Sequence, residues 1–77
     1  MIERWFISYR IVAKDFFNTD PHSFTLHYNS VITDISPAKW MREHGANYHI
    51  LYAEQISTAL ASELVHGGAG ISAEYYT

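Results

Sequence analysis

From Trp5 to Lys14 the chain alternates between two kinds of side chain, and that alternation restricts what it can become. Trp5, Ile7, Tyr9, Ile11 and Ala13 fall on one side, and Phe6, Ser8, Arg10, Val12 and Lys14 on the other. A period of two, carried by aromatic and β-branched residues, is the signature of a strand. The first set is the more apolar and is the candidate for the core. Ser23 to Ile32 alternates in the same way, with Phe24, Leu26 and Tyr28 on one side and Thr25, His27 and Asn29 on the other. Between them Asn18-Thr19-Asp20-Pro21 carries turn chemistry. Two alternating segments so close in sequence form an antiparallel hairpin most simply.

A different signal follows. In Asp34-Ile35-Ser36-Pro37 the serine hydroxyl suits a helix N-cap and the proline suits the first helical position. Ile35 and Trp40 then stand where a hydrophobic staple would join them. This predicts a helix from Pro37 to about His44, ended by Gly45, with Trp40 and Met41 facing the core. Residues 47–66 admit two readings. As a strand, Tyr48, Ile50, Tyr52 and Ile56 share a face, interrupted at Glu54. As one long helix, Tyr48, Leu51, Tyr52, Ile56, Ala59, Leu60 and Leu64 make a stripe. The Tyr-His-Ile-Leu-Tyr run favours a strand, followed by a helix over Thr58–His66 that starts at Ser57-Thr58 and ends at Gly67-Gly68. Residues 68–77 read as a flexible tail, or as an added strand, or as tyrosines packed on a neighbour. The expected fold is α+β: one domain over residues 1–77, with a small antiparallel sheet of a β-hairpin plus a third strand. One or two helices pack on it, in the order ββαβα.

A chain of 77 residues buries only about 60% of its unfolded surface. With no cysteine it has neither disulfides nor thiolate zinc sites to reinforce it. Docking on a partner or on a second copy is the remaining supplement. Two Trp, six Tyr and four Phe are more rings than so small a core hides, and exposed rings serve as interface anchors. The net charge of −3, with five Lys and Arg that form no run, gives no basis for nucleic-acid binding. No apolar stretch nears the roughly 20 residues of a membrane span. The amino terminus lacks a basic segment followed by an apolar run, so cytoplasmic residence is expected.

No motif for catalysis, metal or cofactor emerges. None of the five His pairs with another at metal-binding helical spacing, and His44 and His66 suit helix C-termini. A metal-dependent hydrolase would need His27, His49 and Glu54 to converge. Gly67-Gly68-Ala69-Gly70 lacks the lysine of a phosphate loop. The residues left as partner contacts are Phe16 and Phe17 in the connection, His27 and Asn29 on the polar strand face, and Tyr75 and Tyr76 near the end.

The opening Trp5-Phe6-Ile7-Ser8-Tyr9, the capped Ser36-Pro37-Ala38-Lys39-Trp40 and the run Tyr48-His49-Ile50-Leu51-Tyr52-Ala53-Glu54-Gln55-Ile56-Ser57 together resemble small accessory proteins of bacteriophages and prophages. The resemblance implies a non-enzymatic binder of a protein partner. Some proteins of that kind inhibit host defence systems, including CRISPR complexes. The competing reading is a structural homodimer.

Overall fold

The computed structural model describes residues 2–14 and 24–77. The connecting segment with its Asn18–Pro21 turn, and with it Phe16 and Phe17, lies outside the described residues. The elements are β1 (Trp5–Lys14), β2 (Phe24–Thr33), α1 (Pro37–His44), β3 (Tyr48–Gln55), α2 (Thr58–His66) and β4 (Ser72–Glu74). The fold is α+β, as the alternating and capped segments predict. Among the described residues the sheet has four strands, in the order β3-β1-β2-β4. β1 pairs antiparallel with β2 and β3, whereas β4 runs parallel to β2. The sheet is therefore mixed rather than purely antiparallel, and the order is ββαβαβ. Ser72–Glu74 takes the added-strand reading of the tail and pairs with Val31–Thr33.

Residues 47–66 resolve into strand and helix. The interruption at Glu54 has a local cause: the β1–β3 register shifts between Ser8 and Tyr9, where Ser8 faces Tyr52 and Tyr9 faces Ile50. Leu51 is the extra residue of a β-bulge. The bulge resets the alternation, so Tyr48, Ile50 and Ala53 turn to the core while Tyr52 and Glu54 turn away. Tyr52 then donates to Glu54 along its own strand at 2.7 Å.

Both helix starts behave as their sequences require. Ser36 accepts from the Lys39 amide, and Ser57 from the Leu60 amide. Ile35 and Trp40 meet in the core, closing the staple. α1 ends at Gly45, whose φ of +91° is open to glycine and costly for other residues. α2 ends at Gly67, where a Cβ would collide with the Glu63 carbonyl.

The main core lies on one face of the sheet, under α1. Ile7, Tyr9, Val31, Ile35 and Trp40 are buried there, with Trp5, Ile11, Met41, Tyr48, Ile50 and Ala53 packed around them. This is the face that the β1 alternation marks as apolar. The connections β2-α1-β3 and β3-α2-β4 join parallel strands and cross the sheet in opposite directions. With the usual right hand, such crossovers put their helices on opposite faces. Ile32, which points to the second face, and Ala61 of α2 are both buried outside the α1 cluster, in keeping with that layout. Among the described residues no helix is long and apolar enough to cross a membrane.

Candidate functional site

The polar chemistry of the molecule concentrates where β4 meets α1. The Glu74 Oε2 atom accepts from Trp40 Nε1 at 3.1 Å and from the Tyr76 hydroxyl at 3.1 Å, and it lies 2.9 Å from His44 Nε2. The Tyr76 hydroxyl is also 3.1 Å from His44 Nε2. His44 stacks on Tyr48 at 4.8 Å and leans on Trp40 at 4.1 Å, while Trp40 packs on Tyr9 at 4.8 Å. Burial, the hydrogen bond to Glu74 and the surrounding carboxylates push the Tyr76 phenol up to about 12. Burial, and then the Glu74 charge, also raises Tyr9, which the nearby Asn29 amide partly offsets. Asp34 holds the chain beyond β4, accepting from the Tyr76 amide at 2.8 Å, from the Thr77 amide at 3.0 Å and from the Thr77 hydroxyl. Burial works against the Asp34 carboxylate, but those hydrogen bonds outweigh it and hold its pKa below the usual range. Each carboxylate is occupied by donors from its own chain. The knot is a tie between β4, the tail and α1.

A cleft of about 600 Å³ beside the knot is lined by Arg4, Asp34, Lys39 and Tyr75 among others. Its cations and acids are mixed, and the Arg4 guanidinium lies over the Tyr75 ring at 4.5 Å. The cleft favours no sign of ligand charge. Among the described residues no three His, Asp or Glu gather as a metal site.

The other end of the hairpin differs. β3 pairs with β1 only as far as Ile11, and β4 meets β2 only at Val31–Thr33. Past those points β1 and β2 continue as a two-stranded arm, from Ile11–His27 out to Lys14–Phe24. The arm lengthens the molecule to 48 × 27 × 19 Å, with a radius of gyration of 14.5 Å; a compact chain of this length has roughly 11–12 Å. On the second face Phe24 and Leu26 of the arm and Tyr28 at its base are 56, 47 and 64% exposed, with Val12 opposite Leu26. Along the outer edge of β2 no strand pairs with Phe24–Ser30 among the described residues. The segment Ala69–Ile71 passes beside Tyr28, Asn29 and Ser30 across a cleft of about 350 Å³. That leaves Phe24–His27 as the open stretch.

The structure divides the expected contact residues. His27, at the start of the arm, and Asn29, just inside it, are exposed opposite Ile11 and Tyr9, and so face the same side as the core. Tyr75 and Tyr76 stand at the far end, under Arg4 and in the knot. The arm and the tail therefore do not form one surface. The trio His27, His49 and Glu54 is not assembled, because pairing with Ile11 and with Arg10 places the two histidines on opposite faces. Phe24, Leu26 and Tyr28 were visible in sequence only as one side of a strand, and nothing there marked that side as uncovered. Glu74 stood alone in sequence, and only the parallel pairing of β4 brings it to Trp40.

Comparison with known proteins found no matching family model, no matching curated protein and no matching solved structure.

Proposed function

We propose that this chain is a non-enzymatic binding module that recognises a protein through the hairpin arm. The observation that carries this is the arm itself, a strand edge with which no strand pairs over Phe24–His27 among the described residues, beside three exposed apolar side chains. Open edges recruit strands, and proteins that must avoid this place charges or prolines along them. Phe24-Thr25-Leu26-His27-Tyr28 carries no proline, no lysine and no acid. An extended partner segment gains backbone hydrogen bonds from the edge and side-chain specificity from the stripe. The resemblance to phage accessory proteins supports a host protein as the target and inhibition by contact as the outcome.

The test compares two baits in a bacterial lysate, the wild-type chain and a Phe24→Ser, Leu26→Thr, Tyr28→Thr variant with an unchanged melting temperature. A protein captured by the first and lost from the second supports the reading. Equal capture by both baits, or capture by neither, refutes it.

A further inference from the structure

We infer that His44, Glu74 and Tyr76 form a cation site, one imidazole nitrogen and two oxygens that take a six-coordinate first-row transition-metal dication and so staple the end of α1 to β4 and the tail. The inference does not depend on the hairpin arm.

The three donor atoms make a nearly equilateral triangle. His44 Nε2 stands 2.9 Å from Glu74 Oε2, and the Tyr76 hydroxyl is 3.1 Å from each. Hydrogen bonding accounts for two sides of it. The hydroxyl has one proton, and Nε2 carries at most one in any state of the ring, so one side is without a proton of its own. A cation engages all three lone pairs at once. The third donor is a tyrosine, rather than another His, Asp or Glu.

The size of the triangle indicates the class of ion. Donors about 2.1 Å from a metal stand about 3.0 Å apart at neighbouring octahedral corners and about 3.4 Å apart at tetrahedral ones. The observed sides match the octahedron. An imidazole with two hard oxygens and no sulfur suits manganese, iron, cobalt or nickel better than copper(I), and the imidazole counts against magnesium and calcium. Water fills the remaining corners.

Each donor is also held from behind, as ligands in built sites are. The His44 ring packs on Trp40 at 4.1 Å and on Tyr48 at 4.8 Å. The Trp40 indole N–H donates to Glu74 Oε2 at 3.1 Å, and Asp34 accepts from the Tyr76 amide at 2.8 Å. Solvent still reaches the site: the side chains of His44 and Glu74 are 19 and 36% exposed, and Tyr76 is 43% exposed. The charges of Glu74 on β4, Glu43 on α1 and Asp34 before α1 all act on the Tyr76 hydroxyl. The field that makes its proton hard to remove makes a cation welcome in the proton's place. On binding, the O–H bond breaks, its electron pair goes to the metal and the proton leaves to water, so affinity rises with pH. The staple joins positions thirty residues apart, where a metal clip helps a small cysteine-free chain most.

The test titrates cobalt(II) chloride or magnesium chloride into the full chain. Melting temperature, the visible cobalt spectrum and the ultraviolet difference spectrum of tyrosinate are read. Cobalt should raise the melting temperature, more at mildly alkaline than at mildly acidic pH, and produce a tyrosinate signal; magnesium at the same concentration should do neither. Tyr76→Phe keeps the ring, and should abolish that signal and weaken cobalt binding by about tenfold or more, a loss that even an outer supporting residue can cause. His44→Gln, its fold checked by circular dichroism, should weaken binding likewise, while the His27→Ala/His49→Ala/His66→Ala variant keeps wild-type affinity. The inference is overturned if cobalt does not bind, if it binds without a tyrosinate signal, if Tyr76→Phe binds it unchanged, or if the triple-histidine variant loses it.

Discussion

β1 and β2 run side by side for ten residues each in one unbroken register, yet their two halves behave as different materials. In the proximal half Ile7, Val31, Ile32 and Thr33 are at most 1% exposed. In the distal half Phe24 to Asn29 are all exposed. The residue types do not explain this, since Leu26 and Phe24 are as apolar as Val31 and Ile32. Placement does. α1 packs on one face of the proximal half and β3 and β4 close its two edges, while among the described residues no strand pairs with the outer edge of Phe24–Ser30. A strand's pattern sets which residues share a face; the elements that later cross the strand set whether that face is dry.

The largest effect should come from the centre of the covered half. Trp40 is fully buried against Tyr9, Tyr48 and His44. Trp40→Ala should cost about 3–5 kcal/mol, a large part of the 5–15 kcal/mol available to a typical domain. Urea unfolding measures it. A cost below about 1 kcal/mol would mean that the proximal half is no better packed than the arm.

Glu74→Ala comes next. It leaves the indole N–H of Trp40 without its acceptor, a loss of about 1–3 kcal/mol. Glu74→Gln keeps an acceptor and should lose less, and the difference between the two in thermal unfolding isolates the hydrogen bond from the charge. The same knot should respond to pH at both extremes. The folded pKa of Asp34 is lowered, so its contribution is present above the unfolded value of about 3.9 and fades as pH falls through the folded one. Tyr76 is raised from 10.0 to about 12, so its contribution is complete below pH 10 and fades as pH climbs toward 12. Asp34→Asn should flatten the acid limb of the melting-temperature profile, and Tyr76→Phe the alkaline limb. If either limb is unaltered, that tie does not hold the tail.

What could be read in advance follows the reach of each interaction. Caps and staples act within a few residues, so Ser36, Pro37 and Trp40 announced α1, and Ser57 announced α2. Alternation is also local, and the core face of β1 was legible. The bulge at Leu51 was not, because it depends on how β3 lies against β1, and it made Glu54 look like an interruption. The parallel docking of Ser72–Glu74 joins residues about forty apart, and no local pattern encodes it. For the same reason the Glu74 knot was hidden while the histidine at the end of α1 was visible. The arm was legible as a hairpin and illegible as a surface, since its exposure depends on where β3 and β4 stop.

Thr33 sharpens the comparison from the stabilising side. It is fully buried, and its hydroxyl oxygen is without a hydrogen-bond partner. Val has nearly the same shape, so Thr33→Val removes an unmet polar group without opening a cavity. A gain of about 1 kcal/mol in urea unfolding is expected. No change would point to a solvating water at that hydroxyl.

The smallest effect on folding belongs to the arm. Leu26 is 47% exposed, and lysine at that position keeps an aliphatic stem along Val12 while placing its charge in water. In dilute solution Leu26→Lys should change unfolding free energy by less than about 0.5 kcal/mol, although it places a charge on the edge that a second strand would need. The comparison breaks if dilute Leu26→Lys loses as much stability as Glu74→Ala. Leu26 would then belong to the fold's own core, and the division between covered and open halves would fail. A null effect on unfolding together with loss of association fixes the opposite assignment: the proximal half holds the fold, and the distal half is free to bind because the fold does not need it.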